Sequence, residues 1–318
     1  MNRILIVGSG NLGVRYVQGL SKVRKALRVD VLDQSEVALE NSRQVWSNAS
    51  TQNKHSYLEC FTQLKDIPTK PDIVIVATPS QGRAELTKDI IRELAPTYLL
   101  LEKVLCQSIE ELAEISVAGA NVNAAWVNTP RRAMGWFKEI RRKMHRVGPM
   151  HITKKGGLWG LACNSIHFID LACWLTGRQV VSVDTSQLAK KWFSSKRDGY
   201  YEINGTMRVH YSDGTILDLI SDFDFDEDRL TIECSNSEVW NIFESKGYTV
   251  GPYGQTIEGR LIYQSEITAP IISSIISDGK CDLPGLNESV LQHRPLISSL
   301  LNHWNASKGK LDSRVPIT

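Results

Sequence analysis

Ile4-Leu5-Ile6-Val7-Gly8-Ser9-Gly10-Asn11-Leu12-Gly13 is the stretch that decides the fold. Its first four residues are all branched and apolar, which suits a strand buried on both faces. From Leu12 the apolar residues fall three and four apart, the spacing of a helix with one face on a sheet. Between them stands Gly-x-Gly-x-x-Gly. Glycines are needed there for a tight turn, for close approach of the backbone to a pyrophosphate, and for close packing of helix on strand. A glycine-rich turn alone is common; the strand before it and the helix after it make this one specific. The helix N-terminus then offers unpaired amides to phosphate oxygens. Asp33 ends the next apolar run, 20 residues after Gly13. A carboxylate there accepts both ribose hydroxyls and repels the 2′-phosphate of NADP, and Gln34-Ser35 brings no arginine to hold that phosphate. The expected cofactor is NAD, bound by Gly8, Ser9, Gly10, Asn11, Leu12, Gly13 and Asp33.

Working outward, residues 3–7, 28–32, 73–77, Tyr98–Leu101 and 122–127 read as strands, with amphipathic helices over 12–24 and 84–94 between them. That alternation predicts a doubly wound α/β domain over residues 1–125. The pattern then changes. Residues 137–147 and 165–175 read as helices, strands dominate from Val180, and 291–304 reads as a last helix. Two alternating runs, 205–211 and 216–225, flank Ser212-Asp213-Gly214-Thr215, a strong hairpin signal. In the second run Leu217, Leu219, Phe223 and Phe225 share one face, and Asp218, Asp222 and Asp224 the other. Residues 126–318 are therefore expected to form an α+β domain with an open, mostly antiparallel sheet that is wet on its acidic face.

Composition narrows the function classes. The 37 basic and 35 acidic residues are dispersed and leave a net charge of +2, so no basic stripe invites a nucleic acid. No apolar run reaches the roughly 20 residues that span a bilayer. Six cysteines without a C-x-x-C pair suit reduced thiols, and the expected compartment is the cytoplasm. No metal is expected: Cys163, His167 and Asp170 would share a helix face, but further ligands at recognisable spacing are missing.

Three later segments, Ala77-Thr78-Pro79-Ser80, Glu102-Lys103-Val104 and His167-Phe168-Ile169-Asp170, together with the glycine turn, resemble the Gfo/Idh/MocA oxidoreductases in order and spacing along the whole chain. The resemblance implies an NAD-dependent enzyme that moves a hydride to or from a carbinol of a sugar, sugar acid, cyclitol or activated sugar. It also implies a homo-oligomer, dimer or tetramer. Ala77, Thr78, Pro79, Glu102 and Lys103 would line the cofactor. Lys103 and His167 would be catalytic. Substrate would meet Lys103, Asn128, Arg131, Arg132, Cys163, Asn164 and His167, with the arginine forks able to clamp an anion. Lys190, Lys191, Lys196 and Arg197, interleaved with Trp192 and Phe193, would extend that attraction.

The chain departs from the family pattern twice. Valine stands at 104 where the family keeps proline, and Cys163 stands where it keeps an aspartate. His167 is expected to lean on Asp170 or on a backbone carbonyl. The two departures leave a second reading open, a non-catalytic NAD-binding regulatory or scaffold protein.

Overall fold

The computed structural model describes residues 1–49, 53–68, 70–145, 148–226 and 228–318. The opening apolar run forms β1 (Asn2–Val7), and the glycine turn leads into α1 (Asn11–Leu20). There follow β2 (Leu27–Leu32), α2 (Glu36–Asn48), β3 (Tyr57–Phe61), β4 (Ile73–Val76), α3 (Arg83–Leu94), β5 (Tyr98–Leu101), α4 (Ile109–Gly119) and β6 (Ala124–Val127). All six strands are parallel, in the order β3-β2-β1-β4-β5-β6. The sheet reverses direction of growth between β1 and β4, and the crevice at such a switch point is where doubly wound sheets bind ligands. Ile4, Leu5, Ile6, Val74, Ile75 and Leu99 are sealed from solvent, as strands covered by helices on both faces must be.

Next come α5 (Gly135–Lys143), β7 (Met150–Gly156), α6 (Leu161–Thr176), β8 (Val180–Leu188), β9 (Phe193–Ser194), β10 (Tyr201–Glu202), β11 (Gly205–Tyr211) and β12 (Ile216–Ser221). The chain finishes with β13 (Arg229–Cys234), β14 (Val239–Phe243), β15 (Tyr248–Val250), β16 (Thr256–Glu258), α7 (Gln264–Asp278) and α8 (Leu286–Lys308). An eight-stranded sheet runs β16-β15-β14-β13-β7-β12-β11-β8. Among the described residues of this sheet only the β7–β12 pair is parallel. The helix expected over 137–147 covers Gly135–Lys143, and its expected end at residue 147 lies outside the described residues.

Two compact units result, and their chain segments interleave. One comprises Met1–Cys106, Glu111–Asn128 and Ile262–Asn287; the other Gln107–Glu110, Thr129–Leu261 and Glu288–Thr318. A single boundary after residue 125 is thus too simple, because α7 returns to the first unit. It packs on α1 so closely that a Cβ on Gly19 would stand 2.5 Å from Thr268.

The acidic face expected of the second hairpin strand also needs correction. β12 stops at Ser221, where the Asp224 amide turns back to the Asp222 carboxylate at 3.4 Å, so Phe223 is exposed instead of buried. Asp218 is largely buried between Arg208, which donates to both its oxygens at 2.7 and 2.9 Å, and His151 at 2.8 Å. Burial raises its carboxyl, but these partners win and hold it below the usual carboxylate range. At Asp218 the face is therefore paired charge, while Asp222 and Asp224 lie exposed beyond the end of the strand.

Candidate functional site

Each glycine of the turn has a different surrounding. Gly8 takes φ +94°, open to glycine at little cost, and a Cβ there would press on Ala77 and Thr78 at 3.0–3.1 Å. On Gly13 a Cβ would stand 2.0 Å from the Gly8 carbonyl oxygen, so helix and turn can close only around a hydrogen. Gly10 caps α1 without a side chain, and a Cβ on it would meet no heavy atom within 4 Å. These are the turn, packing and open-approach positions that a dinucleotide cradle requires, and the residues present fit a pyrophosphate. Asp33 is tied to the same turn: its Oδ2 accepts from the Ser9 amide at 2.6 Å and its Oδ1 from the Ser35 amide at 2.9 Å. The Ser9 hydroxyl donates to the Ala38 carbonyl at 3.0 Å, fixing the turn against α2. Asn11 and Pro79 are exposed, and Leu12, Ala77 and Thr78 half-buried.

At the end of β5, Glu102 is buried in a polar cluster that local sequence does not announce. Tyr16 donates its hydroxyl to Glu102 Oε1, and Asn128 Nδ2 donates to the same oxygen at 2.7 Å and to Gln264 Oε1 at 2.8 Å. Burial above all, then the neighbouring Glu102 carboxylate, pushes the Tyr16 phenol well above its ordinary range. Asn128, expected at a substrate, is occupied here in holding Glu102. Lys103 follows, half-buried, and the Lys103–Val104 peptide is cis with valine in the second place.

In the second unit α6 carries Cys163, Asn164 and His167. Its first turn is capped by Glu202 of β10, whose Oε2 accepts from the Ala162 amide at 2.8 Å and Oε1 from the Cys163 amide at 3.2 Å. A buried carboxylate at a helix N-terminus meets both the unpaired amides and the helix dipole. The Cys163 thiol lies 3.6 Å from the Gly160 carbonyl oxygen, and Asn164 donates to the Trp159 carbonyl at 2.8 Å. Asn164 is thereby drawn to local backbone. His167 is half-buried one turn further on.

The expected support of His167 by Asp170 is overturned. Asp170 is fully buried and accepts instead from Thr129 at 2.8 Å, Arg132 at 2.8 Å and Gln292 at 3.1 Å. Burial lifts its carboxyl to about 6 against the pull of Arg132. Arg132 also grips Glu288. Arg131 donates through Nε and Nη2 to the two Glu244 oxygens at 2.7 and 2.9 Å and lies 4.3 Å over the Phe168 ring. Both forks expected to clamp an anion are therefore closed on carboxylates of the protein itself.

Beside them stands Lys154 of β7, 2% exposed, its ammonium against Asp228 and 5.3 Å from the Phe168 ring centre. Burial pushes that ammonium down and Glu244 pulls it back. In the basic loop Lys190, Lys191, Lys196 and Arg197 are exposed. Trp192 turns inward onto Trp304, 5.3 Å between ring centres, and donates to His303 at 3.1 Å. Trp192 is thus core, whereas Phe193 is half-buried against the exposed Phe223 ring.

A glycine turn after the first strand, an acid after the second and the strand order 3-2-1-4-5-6 define a dinucleotide-binding Rossmann unit, here joined to a unit built on a mixed sheet. Residues 2–129 match the model of the Gfo/Idh/MocA family, described as an oxidoreductase family with an NAD-binding Rossmann fold. No curated protein matches the chain in sequence. Solved structures share its fold from end to end. UDP-N-acetylglucosamine 3-dehydrogenase from Acidithiobacillus ferrooxidans superposes with TM-score 0.69 at 15% identity, covering 98% of this chain and 99% of that one. An oxidoreductase from Agrobacterium radiobacter in complex with NAD+, L-tartaric acid and magnesium gives 0.72 at 13% identity, with 97% of each chain covered. Myo-inositol 2-dehydrogenase from Lactobacillus plantarum gives 0.69 at 16% identity, covering 98% and 99%. At these identities the likeness is one of fold. Among the described residues no helix is long and apolar enough to cross a membrane.

Proposed function

We propose that the chain is an NAD-dependent oxidoreductase that moves a hydride to or from a secondary carbinol of a sugar, sugar acid, cyclitol or activated sugar. The observation that carries the reading is the glycine turn, open at Gly10 and tethered through Ser9 to Asp33. The printed activities of the structural neighbours, on a UDP-sugar and on an inositol, support a polyol-like substrate. The bound nicotinamide supplies or accepts the hydride. The protein's residues bind, orient and handle the proton. With NAD bound, Asp33 would accept from the ribose hydroxyls, and the first amides of α1 would meet the phosphates. His167 takes the hydroxyl proton on its imidazole as the alkoxide develops, and Lys103 holds positive charge toward the reacting oxygen. Arg131 and Arg132, closed on carboxylates, shape the wall and leave anion binding to other groups.

A panel of keto-inositols, keto-sugars and oxidised nucleotide sugars, incubated with NADH and followed at the nicotinamide absorbance band, tests this reading. Turnover of at least one polyol-derived ketone is expected. Tight NADH binding without turnover across the panel would favour a regulatory role. We also propose that the protein is cytoplasmic and forms a dimer or tetramer through the open face of the eight-stranded sheet. Pairing of Asp218 with Arg208 and His151 lowers the acidity of that face, and sedimentation at equilibrium checks the assembly.

A further inference from the structure

Arg83, the first residue of α3, is 1% exposed, and its guanidinium is spent on backbone. Nη1 donates to the carbonyls of Glu102 at 2.6 Å, of Val104, and of Leu105 at 3.3 Å, while Nη2 donates to the carbonyl of Thr78. Each acceptor lies just past the end of a strand. The Ala77 amide still bonds to Val7 and the Glu102 amide to Val76, but beyond these points the backbone has left the ladder. A guanidinium taken fully out of water carries a desolvation cost of several kcal/mol. Satisfying buried carbonyls at two strand ends offsets that cost, and only a planar fork of donors reaches them together; an ammonium is a point. Two of the acceptors, Glu102 and Val104, are the residues on either side of Lys103.

We propose that Arg83 is a positioning residue: it clamps the backbone on both sides of Lys103 to the Thr78 turn and thereby sets where the Lys103 amine stands. The proposal rests on the reading of Lys103 as the amine beside the nicotinamide. It adds a residue of the first helical turn after β4 to the groups on which the reaction depends.

Reductive methylation of Lys103, quantified on its peptide by mass spectrometry, tests this with saturating NADH or ADP-ribose as probes. ADP-ribose fills the glycine turn but has no nicotinamide. In the wild-type protein NADH should slow labelling about tenfold, the worth of one charged hydrogen bond held by the amine, and ADP-ribose should not. Arg83→Lys should still bind ADP-ribose within about threefold of wild type, yet its NADH protection should fall below about twofold, since a displacement on the order of 1 Å suffices to break such geometry. A merely structural loss would lower stability or ADP-ribose affinity and leave protection per bound NADH intact, which overturns the proposal, as does full protection in Arg83→Lys. If NADH fails to protect Lys103 even in the wild-type protein, the reading of Lys103 falls and takes the proposal with it. Should Arg83→Lys and Arg83→Gln not fold, nitrogen-15 spectra of the wild-type protein decide: slow rotation about the Arg83 Cζ–Nη bonds is required, and fast averaging refutes the clamp.

Discussion

Replacing Gly10 by alanine separates two roles that a glycine at this turn can play. A Cβ at Gly10 meets no heavy atom within 4 Å, and φ −68°, ψ −168° is extended backbone that alanine adopts freely. The folded protein therefore has room for the methyl. Removing glycine's freedom from the unfolded chain adds about 0.4–1 kcal/mol of stability. Alanine is a poorer helix cap than glycine by a similar amount, so the melting temperature should stay within about 3 °C of wild type. If a pyrophosphate occupies the open space, the methyl intrudes on it at a cost of about 1–3 kcal/mol, which raises the NADH Kd roughly five- to hundredfold. Gly13→Ala is the contrast: its Cβ would stand 2.0 Å from the Gly8 oxygen, so stability and binding should fail together. NADH fluorescence titration and thermal melts of both variants give the answer. A Gly10→Ala protein that binds NADH as tightly as wild type would refute the placement of the phosphates at this turn.

Four further outcomes are expected. Wild-type protein should bind NAD(H) at least about tenfold tighter than NADP(H), since a phosphate facing the Asp33 carboxylate costs well over 1 kcal/mol, and Asp33→Ala should shrink that ratio in paired titrations. His167→Ala should lower kcat by roughly 10²–10⁴ with NADH affinity nearly intact, in steady-state kinetics on whichever ketone the panel yields. Arg131→Ala strands the buried Glu244 carboxylate, whose ionisation Arg131 favours against burial; unfolding free energy should drop by about 3 kcal/mol, and Glu244→Gln in the same chain should restore part of it. Asp170 holds its proton more tightly folded, at about 6, than unfolded, so its contribution is present below about pH 4 and is lost as pH rises through 6. Relative to Asp170→Asn, wild type should lose about 2–3 kcal/mol across that window in denaturant titrations, and a pH-independent difference would contradict it.

The first unit was legible where local pattern and tertiary role coincide. The β1 run and the Gly8–Gly13 turn declare themselves because strand burial, turn geometry and helix packing all act within a dozen residues. α2 stayed hidden because it buries only Leu39 and Ser42 and so shows little apolar periodicity. α7 was masked in a different way. Ile267, Ile271, Ile272 and Ile275 are spaced for a helix, but β-branched residues and Pro270 bias the stretch toward a strand reading, and packing on α1 overrides that bias. β7 escaped because Lys154 occupies one of its inward positions, where alternation demands an apolar residue.

Charges in the second unit were the hardest to place, because their partners are remote in sequence. Arg131 finds Glu244 across 113 positions, Asp170 finds Gln292 across 122, and the Cys163 amide finds Glu202 across 39. No local spacing encodes such pairs, so an arginine engaged with a buried carboxylate reads in sequence like one waiting for an anion. What decides between the two is desolvation: a guanidinium inside the fold must be matched there, whereas one kept for a ligand must stay reachable. Arg131 and Arg132 are matched. The two arginines that the motif pattern reads as an anion clamp are instead held by Glu244, Asp170 and Glu288 of the same unit.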